Sequence, residues 1–365
     1  MSLKIICIPP RYYPYMGGVE KVVKEVCKRL SQKKEYNIKV YSTSVSLKLL
    51  GSHNLGNVKV RNYLAFAPFN AYYIPSVGML VDLLKEKNAI FHLYGVHDVT
   101  AIAGFLTKRK NRLIVSPYYH GRGHSKIAEK LWFIYRPLIR RLLQKADAII
   151  VNSKVQKKLL LRDFSIASKK FYTIYDGVAL NDIRNVKPYE RNDKIILYVG
   201  RLERYKNVHI GVYALKYLPD EFKYVIVGKG GFERRLKMIV KDMNVQSRVL
   251  FLGSQPDDIV WRWLKTASVF LHLSDIESFG MTCIESLAAG TPVVANDDGA
   301  GLMETINLYP KEILVYRVRR EPIQKLASLI IKASEMKPLK VDVSRFSWEN
   351  IVEQISSIYK DVYYK

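Results

Sequence analysis

Cysteine is scarce in this sequence, and the few that occur form no recognisable pattern. Cys7, Cys27 and Cys283 lie in apolar surroundings among 365 residues, without the spacing of metal ligands. We therefore expect reduced core thiols, which argues against a disulfide framework and against a zinc site. The apolar start of the chain is also short, because Pro9 and Pro10 end it. A secretory signal is thus not indicated, and a cytoplasmic location is expected.

Long apolar runs are also scarce. Residues 62–81, NYLAFAPFNAYYIPSVGMLV, form an uncharged stretch, but it contains two prolines, two asparagines and a glycine. Such a composition is a poor match to a helix that spans a bilayer. We expect a buried or interfacial segment here instead.

Acidic residues are few relative to basic ones. The chain has 59 Lys and Arg against 33 Asp and Glu, which leaves a formal net charge of +26. This excess favours an anionic partner through long-range attraction, whether nucleic acid, an acidic membrane surface or a phosphorylated substrate. No recognition helix, zinc finger or RNA-binding aromatic motif accompanies it. Charge is therefore the only support for a nucleic-acid-binding protein.

Short apolar runs alternate with helix-length segments along the chain, in two successive series. This alternation predicts parallel sheets covered by helices, hence an α/β protein with two Rossmann-like domains. The first series contains LKIICI, AIFHLY, RLIVSPYY, DAIIVNS and FYTIY, and the second contains KIILYVG, KYVIVG, RVLFLG, ASVFLHLS and TPVVAN. We expect domains over residues 1–185 and 186–345, followed by an amphipathic helix over 346–365 that packs back on the first domain.

Ligands of open parallel sheets bind at the carboxyl ends of the strands, where loops lead into helices. After the first strand, Gly17 and Gly18 open a helix and would let backbone amides approach an anion, although a tight turn explains a glycine pair about as well. After the first strand of the second series, Arg201 and Lys206 lie five positions apart before a helix. Two basic residues on such a loop suit a diphosphate, and surface solvation is the alternative for either one alone.

The stretch ESFGMTCIE, residues 277–285, contains two carboxylates at the start of a predicted helix. We expect the helix to begin directly after Glu277, so that Glu277 and Glu285 are separated by about 12 Å of helical rise. The amides of Phe279, Gly280 and Met281 would then point at an anionic or hydroxyl-rich group, and the acids would accept hydrogen bonds from hydroxyls. The alternative is a capped, solvated helix start.

Together, VGRLERYK, ESFGMTCIESLAAGTPVVAND and the terminal SWEN helix resemble the retaining glycosyltransferases of family 4, which have the GT-B fold. The resemblance implies two Rossmann-like domains facing across a cleft, and sugar transfer without a metal or other cofactor. It also implies that Arg201 and Lys206 hold the donor diphosphate. By the same resemblance Glu285 holds the nucleoside ribose, and Glu277 with the amides after it holds the donor sugar.

The resemblance further implies a histidine of the first domain near the transferred sugar, and RLIVSPYYHGRGH offers His120 there. A lone histidine is more often structural than catalytic, so this assignment depends on the resemblance. We accordingly expect His120, Arg201, Lys206 and Glu277 to be catalytic, with the Gly17–Gly18 loop also in the donor site.

The sequence departs from the family pattern at two places. Asn207 follows Lys206 where the family often has glycine, and residues 176–179 read DGVA where the family often has Asn-Gly-Val-Asp. The manganese signature of the other major glycosyltransferase fold, Asp-x-Asp, does not occur.

The segment KIAEKLWFIYRPLIRRLLQK, residues 126–145, interleaves basic and aromatic residues on a predicted helix. It suits an anionic bilayer surface, and the alternative is a packing helix with a solvated basic face. We expect transfer of a hexose-type sugar from a nucleoside diphosphate sugar to a hydroxyl of a glycan or lipid-linked acceptor, in the cytoplasm or at its membrane face. A sugar phosphorylase or nucleotide-sugar epimerase of the same architecture, or a basic nucleic-acid-binding protein, remains the alternative.

Overall fold

The computed structural model describes residues 2–15, 17–67, 73–119, 121, 126–167, 170–277, 279–297 and 301–364, and within residues 126–145 it describes side chains from 135 onward. The chain divides into two compact units. The first unit contains Met1–Asp176 together with Trp348–Lys365, and the second contains Gly177–Ser347. Both units are α/β structures built on mainly parallel sheets, as the alternation of apolar runs predicts.

The first unit is built on a sheet of nine strands. Its strands are β1 (Leu3–Ile8), β2 (Tyr36–Ser44), β3 (Gly51–Leu55), β4 (Val58–Phe66), β5 (Ile74–Pro75), β6 (Ala89–Tyr94), β7 (Arg112–Ser116), β8 (Ala148–Val151) and β9 (Phe171–Thr173). Its strand order is β3-β4-β2-β1-β6-β7-β8-β9, and β5 pairs with β4. Among the described strands of this sheet, β3 and β5 are antiparallel to β4 and the other pairings are parallel. The intervening helices are α1 (Gly18–Leu30), α2 (Val77–Lys85), α3 (Val99–Thr107), α4 (Lys126–Lys145) and α5 (Lys154–Phe164).

The second unit is built on a parallel sheet of six strands. These are β10 (Lys194–Val199), β11 (Phe222–Val227), β12 (Val249–Gly253), β13 (Val269–His272), β14 (Val293–Ala295) and β15 (Ile313–Val315), in the order β12-β11-β10-β13-β14-β15. Its helices are α6 (Leu180–Asn185), α7 (Val208–Ala214), α8 (Glu233–Asp242), α9 (Asp257–Thr266), α10 (Met281–Ala288), α11 (Leu302–Leu308) and α12 (Ile323–Glu335). Every residue of β13 and β14 is buried, which explains why these strands are continuous apolar runs in the sequence.

The last helix, α13 (Trp348–Tyr364), returns to the first unit and packs on α1. The Tyr36 hydroxyl lies 2.6 Å from Ser356 Oγ, and the Tyr359 hydroxyl lies 2.6 Å from Nδ1 of the buried His92. The apolar side chains at helical spacing, Ile351, Ile355, Ile358 and Val362, are all buried.

The first boundary between the units lies at residues 176 and 177, nine residues before the seam expected from the sequence. The reason is α6, which packs on α9 and α10 of the second unit and contains the fully buried Ile183. In addition, the Lys265 ammonium donates to the Arg184 carbonyl at 2.6 Å. The polar character of the segment DGVALNDIRNVKPYERND conceals this short helix.

The uncharged segment 62–81 becomes the end of β4, the strand β5 and the first half of α2. Tyr63 and Met79 are buried, whereas Phe66 and Val77 are 70% and 72% exposed. In the part of the chain that the structure describes, no helix has the length and apolar character needed to cross a bilayer. Each of the three cysteines is buried and free of disulfides, as expected.

Candidate functional site

The six-stranded sheet has one position where the chain reverses the direction in which it adds strands. From β10 the chain continues through α7 to β11 on one side, while β13 continues through α10 to β14 on the other. The connections after β10 and β13 therefore lead away from each other, and we call the region around the carboxyl ends of these two strands the crevice. Such a position is where open α/β sheets bind ligands.

The loop after β10 is held closely against the loop after β11. A Cβ atom on Gly228 would lie 1.8 Å from the Gly200 carbonyl oxygen, and one on Gly230 would lie 2.3 Å from the Leu202 carbonyl oxygen. Only glycine permits this backbone approach. The loop that carries Arg201 is thereby packed directly against the backbone of the loop after β11.

Lys206 and Glu277 meet across the crevice. The Lys206 ammonium lies 2.6 Å from Glu277 Oε2, and Nε2 of His272, at the end of β13, lies 3.1 Å from the same oxygen. Burial on its own would raise the pKa of Glu277, but the Lys206 charge and the His272 hydrogen bond outweigh burial and hold that pKa well below its ordinary value. Glu277 is therefore a carboxylate at neutral pH, able to accept hydrogen bonds and unable to donate one.

Arg201 lies on the same loop as Lys206, and Tyr205 contacts both. The Arg201 guanidinium donates to the Tyr205 hydroxyl at 2.9 Å, and the Lys206 ammonium lies 5.3 Å from the centre of the Tyr205 ring. The Arg201 side chain is exposed. The loop thus presents one cation to solvent and holds a second against Glu277.

The helix after the crevice begins later than the sequence suggests. We expected it directly after Glu277, but α10 begins at Met281, and Gly280 precedes it with φ +85°. Glu277 therefore lies in the loop, and the prediction that eight helical positions separate it from Glu285 is wrong. Glu285 lies one turn into α10 and is buried.

Phe279 and Gly280 are both needed for packing, Phe279 through its ring and Gly280 because it has no side chain. The Phe279 ring is 1% exposed and lies 5.6 Å from the Phe346 ring, so it is a core residue and only its backbone can face a ligand. A Cβ atom on Gly280 would lie 2.6 Å from Leu302 Cδ2. The amides of Gly280 and Met281 begin α10, where backbone N–H groups lack helical acceptors.

The first unit has its own reversal point, between β1 and β6. Gly17 precedes α1 and Gly18 is its first residue. A Cβ atom on Gly17 would lie 2.3 Å from Glu20 Oε2, whereas one on Gly18 would meet nothing within 4 Å. Glu20, held by Arg11 at 2.8 Å, therefore covers Gly17, while Gly18 faces open space at the start of a helix.

Asp98 follows β6 at the same edge and precedes α3. Burial raises the pKa of Asp98 to about 6, against the lowering effect of the Arg11 charge. Its carboxyl group therefore changes protonation at a higher pH than an ordinary aspartate does. His120, predicted to be catalytic at this edge, lies outside the described residues.

Sequence reasoning missed four residues of the second-unit crevice: Tyr205, Asn207, His272 and Asp275. Tyr205 and Asn207 flank the predicted Lys206, and His272 lies five residues before Glu277 at a strand end. Their position beside predicted ligands was a usable signal. Within the described ranges, no three His, Cys, Asp or Glu side chains lie close enough together to hold a metal ion.

Comparison with known protein families accounts for nearly the whole chain. The model of the family described as Glycosyltransferase Family 4 matches residues 16–182, and that described as Glycosyl transferases group 1 matches residues 181–360. The chain belongs to glycosyltransferase family 4. This confirms the resemblance drawn from the sequence, and the protein is a glycosyltransferase of the GT-B type.

Relatives of this family 4 glycosyltransferase differ in how much of the chain they match. An N-acetylgalactosamine-N,N'-diacetylbacillosaminyl-diphospho-undecaprenol 4-alpha-N-acetylgalactosaminyltransferase of Campylobacter jejuni is 34% identical over 46% of each chain, so the match spans about half of that relative. An uncharacterised glycosyltransferase of Methanocaldococcus jannaschii is 24% identical over 98% of each chain.

Solved structures share the fold over almost the full length. Sucrose-phosphate synthase of Thermosynechococcus elongatus matches with a TM-score of 0.82 at 19% identity, covering 100% of this chain and 99% of that one. Anabaena HepE in complex with UDP-glucose matches with a TM-score of 0.74 at 16% identity, covering 98% and 100%. At these identities the similarity establishes the GT-B fold of this glycosyltransferase.

Proposed function

We propose that this glycosyltransferase moves a hexose-type sugar from a nucleoside diphosphate sugar to a hydroxyl of a glycan or lipid-linked acceptor, with retention of the anomeric configuration. The observation that carries the proposal is the Lys206–Glu277 pair at the reversal point of the six-stranded sheet. It offers a cation for a diphosphate beside an acceptor of hydroxyl hydrogen bonds. A nucleotide sugar has both groups adjacent to each other.

The charges of the crevice match those that develop in the reaction. When the bond between the anomeric carbon and the diphosphate breaks, negative charge grows on the leaving oxygens and positive character on the sugar. Lys206, Arg201 and the amides at the start of α10 would stabilise the leaving group. Glu277 would orient the sugar through its hydroxyls, and Glu285 would hold the ribose. Since fixed cations of the protein supply the stabilisation, we propose transfer that requires no metal.

The acceptor hydroxyl would attack from the face that the diphosphate leaves. A diphosphate oxygen takes the acceptor proton in this mechanism, so no enzyme nucleophile is assigned, and His120 would lie beside the transferred sugar. UDP-glucose in Anabaena HepE supports a nucleotide sugar as donor. The diphospho-undecaprenol in the name of the Campylobacter relative supports a lipid-linked acceptor, which would bring the enzyme to the cytoplasmic membrane surface.

Ligand-dependent melting of the full chain tests the donor. In a panel of nucleoside diphosphates, the correct one at 100 times its dissociation constant should add about 2.7 kcal/mol to the free energy of unfolding. Transfer from the corresponding sugar nucleotide should persist in excess chelator. Loss of activity that manganese restores would contradict metal independence.

Donor turnover in three mixtures separates the alternatives. A glycosyltransferase turns over the donor only when the acceptor is present. A phosphorylase would turn it over when phosphate is supplied in place of the acceptor, and an epimerase would convert it when neither acceptor nor phosphate is present. Stabilisation by none of the nucleoside diphosphates would remove the proposal.

A further inference from the structure

Asn207, the residue after Lys206, has an unusual backbone conformation. Its φ is +54° and its ψ is +28°, in the left-handed region, where it ends the turn Arg204–Lys206 and precedes α7. Asparagine enters this region more readily than most residues other than glycine. The conformation directs the chain from the Lys206 turn into the helix.

The Asn207 side chain connects this turn to the loop that carries Glu277. Its amide nitrogen donates to the Leu273 carbonyl oxygen at 2.9 Å and to Asp275 Oδ1 at 2.9 Å, and the side chain is buried. Both amide hydrogens are therefore used on one loop. That loop reaches Glu277 only two residues after Asp275.

Asp275 joins further loops at the same edge of the sheet. Its Oδ1 also accepts from the amide of the fully buried Asn296, after β14, at 3.2 Å. Its Oδ2 lies 3.3 Å from Arg319, after β15. Its backbone N–H donates to the Tyr205 carbonyl at 2.9 Å, next to Lys206. One carboxylate thus ties the loops after β10, β13, β14 and β15 together.

We propose that Asn207 and Asp275 form a positioning clamp that sets where Lys206 and Glu277 lie relative to each other, and hence how the donor is oriented. The inference rests on the proposed function. Lys206 ends a single 3-10 turn, in which its N–H donates to the Glu203 carbonyl at 3.0 Å, and Glu277 lies in a loop, so neither residue belongs to an α-helix or a strand. A long side chain such as lysine loses conformational entropy when it is held in one position. If the backbone that carries it is already rigid, less entropy is lost when the side chain binds the donor. Neither clamp residue needs to touch the substrate.

The test begins with Asn207→Gly in the full-length enzyme. Glycine adopts the same backbone conformation without strain, so the variant removes the two amide hydrogen bonds and keeps the turn. Misplacement of a group that stabilises the leaving diphosphate should lower kcat about tenfold or more, while KM for the donor rises less than about threefold. The melting temperature should fall by less than about 8 °C, which leaves the enzyme folded in the assay.

A double-mutant cycle shows whether the two residues act through each other. Asn207→Gly combined with Asp275→Asn should lower kcat no more than the more damaging single substitution does. We choose Asp275→Asn because it keeps the volume of the side chain and should fold even if Asp275→Ala does not. The matched control is Asp297→Asn, which breaks an ion pair with Arg317 of 2.9 Å at the same edge and should change kcat less than about twofold.

Two results would overturn the clamp. One is a lowered melting temperature with wild-type kcat and KM, which indicates a purely structural role. The other is a double variant in which the fold-loss of kcat equals the product of the losses in the two single variants. Wild-type enzyme that neither binds a nucleoside diphosphate nor transfers sugar would remove the proposed function, and the clamp with it. An active wild type with an equally active Asn207→Gly variant would remove the clamp alone.

Discussion

Glu277 shows how a half-buried carboxylate can remain charged. Burial opposes ionisation, but the Lys206 ammonium at 2.6 Å and His272 at 3.1 Å favour it more strongly. Within the residues that the structure describes, both donors lie against the same oxygen, Oε2. A donor sugar that binds through Glu277 would therefore meet an acceptor whose orientation is already fixed.

The two glutamates of ESFGMTCIE should respond differently to substitution. If Glu285 holds the ribose, Glu285→Gln should weaken binding of the bare nucleoside diphosphate by about 1–3 kcal/mol. Glu277 lies toward the sugar, so Glu277→Gln should leave that affinity nearly unchanged and slow transfer about a hundredfold. Calorimetry with the nucleoside diphosphate and a transfer assay measure the two effects.

Glu335→Gln is a suitable control for these variants. Glu335 is exposed and ends α12, which runs back from the carboxyl edge of the sheet, so it lies at the opposite edge from the crevice. Glu304, the next glutamate after Glu285 in the sequence, is a poor control because it is buried in α11. If Glu277→Gln and Glu285→Gln both match Glu335→Gln, the stretch has no role in donor recognition.

Removal of the Lys206 charge should reverse the pH dependence that Glu277 gives to stability. In the wild type the pKa of Glu277 is lowered on folding, so its contribution is present above the ordinary glutamate pKa and is lost as pH falls toward the lowered value. In Lys206→Met, burial is opposed less, and the pKa should rise above its ordinary value. The melting temperature of this variant, relative to wild type, should then increase as pH is lowered from 8 to 5.

Lys206→Arg is the matched variant, since it keeps a positive charge beside Glu277. Its melting temperature should follow pH as the wild type does. A parallel pH dependence for wild type and Lys206→Met would show that Lys206 does not control the ionisation of Glu277.

At the scale of elements, α10 shows why helix starts are hard to derive from a sequence. The apolar pattern of MTCIESLA predicts the helix correctly, but the residues before it, 277–280, carry no apolar periodicity that shows where it begins. The start is determined by Gly280, whose φ of +85° is closed to most side chains and whose Cα faces Leu302 from a different helix. That contact is invisible in the local sequence.

Gly280→Ala should therefore destabilise the protein and impair the donor site together. A left-handed alanine and a contact of 2.6 Å with Leu302 should lower the free energy of unfolding by about 1–3 kcal/mol, measured by urea denaturation. Displacement of the amides at the start of α10 should also weaken nucleoside diphosphate binding.

Gly18→Ala provides the contrast, because its Cβ would meet nothing within 4 Å. The fold should tolerate it, so a loss of activity without a loss of stability would indicate that a ligand approaches Gly18. Equal stability of Gly280→Ala and wild type would contradict the steric argument for Gly280.

The sequence predicts the buried parallel strands well and the others poorly. β6 and β13 are continuous apolar runs because helices cover both faces of a parallel sheet. β2 alternates buried Ile38 and Val40 with the more exposed Asn37 and Lys39, and β15 has only three residues, so neither stands out as an apolar run. The same rule applies to the candidate site: Arg201, Lys206 and Glu277 could be predicted because they lie after such strands.

At the scale of the whole molecule, part of the net charge of +26 comes from basic residues on α4. Arg140 and Arg141 are exposed, whereas the Arg136 guanidinium donates to the Asp163 carbonyl at 2.6 Å and belongs to the packing of the unit. If α4 binds anionic lipid, Arg140→Glu with Arg141→Glu should weaken binding to anionic vesicles, by about 1 kcal/mol or more for each residue. Vesicle co-sedimentation measures this.

The same charge change can be made elsewhere as a control. Arg234 and Arg235 are adjacent and exposed on α8 of the second unit. Arg234→Glu with Arg235→Glu should reduce binding less than the α4 pair does. Equal reduction by both pairs would attribute binding to net charge, and equal binding of the wild type to neutral and anionic vesicles would remove the membrane role.

The position of α13 also has a consequence for the order in which the molecule is made. The first unit needs residues 348–365 to cover Tyr36 and His92, yet the whole second unit, residues 177–347, precedes them in the chain. On the ribosome, all residues of the second unit therefore emerge while the first unit still lacks its last helix. During that interval the α1 face beneath α13 is open to chaperones and to proteases, and it closes only after residues 348–365 have been synthesised.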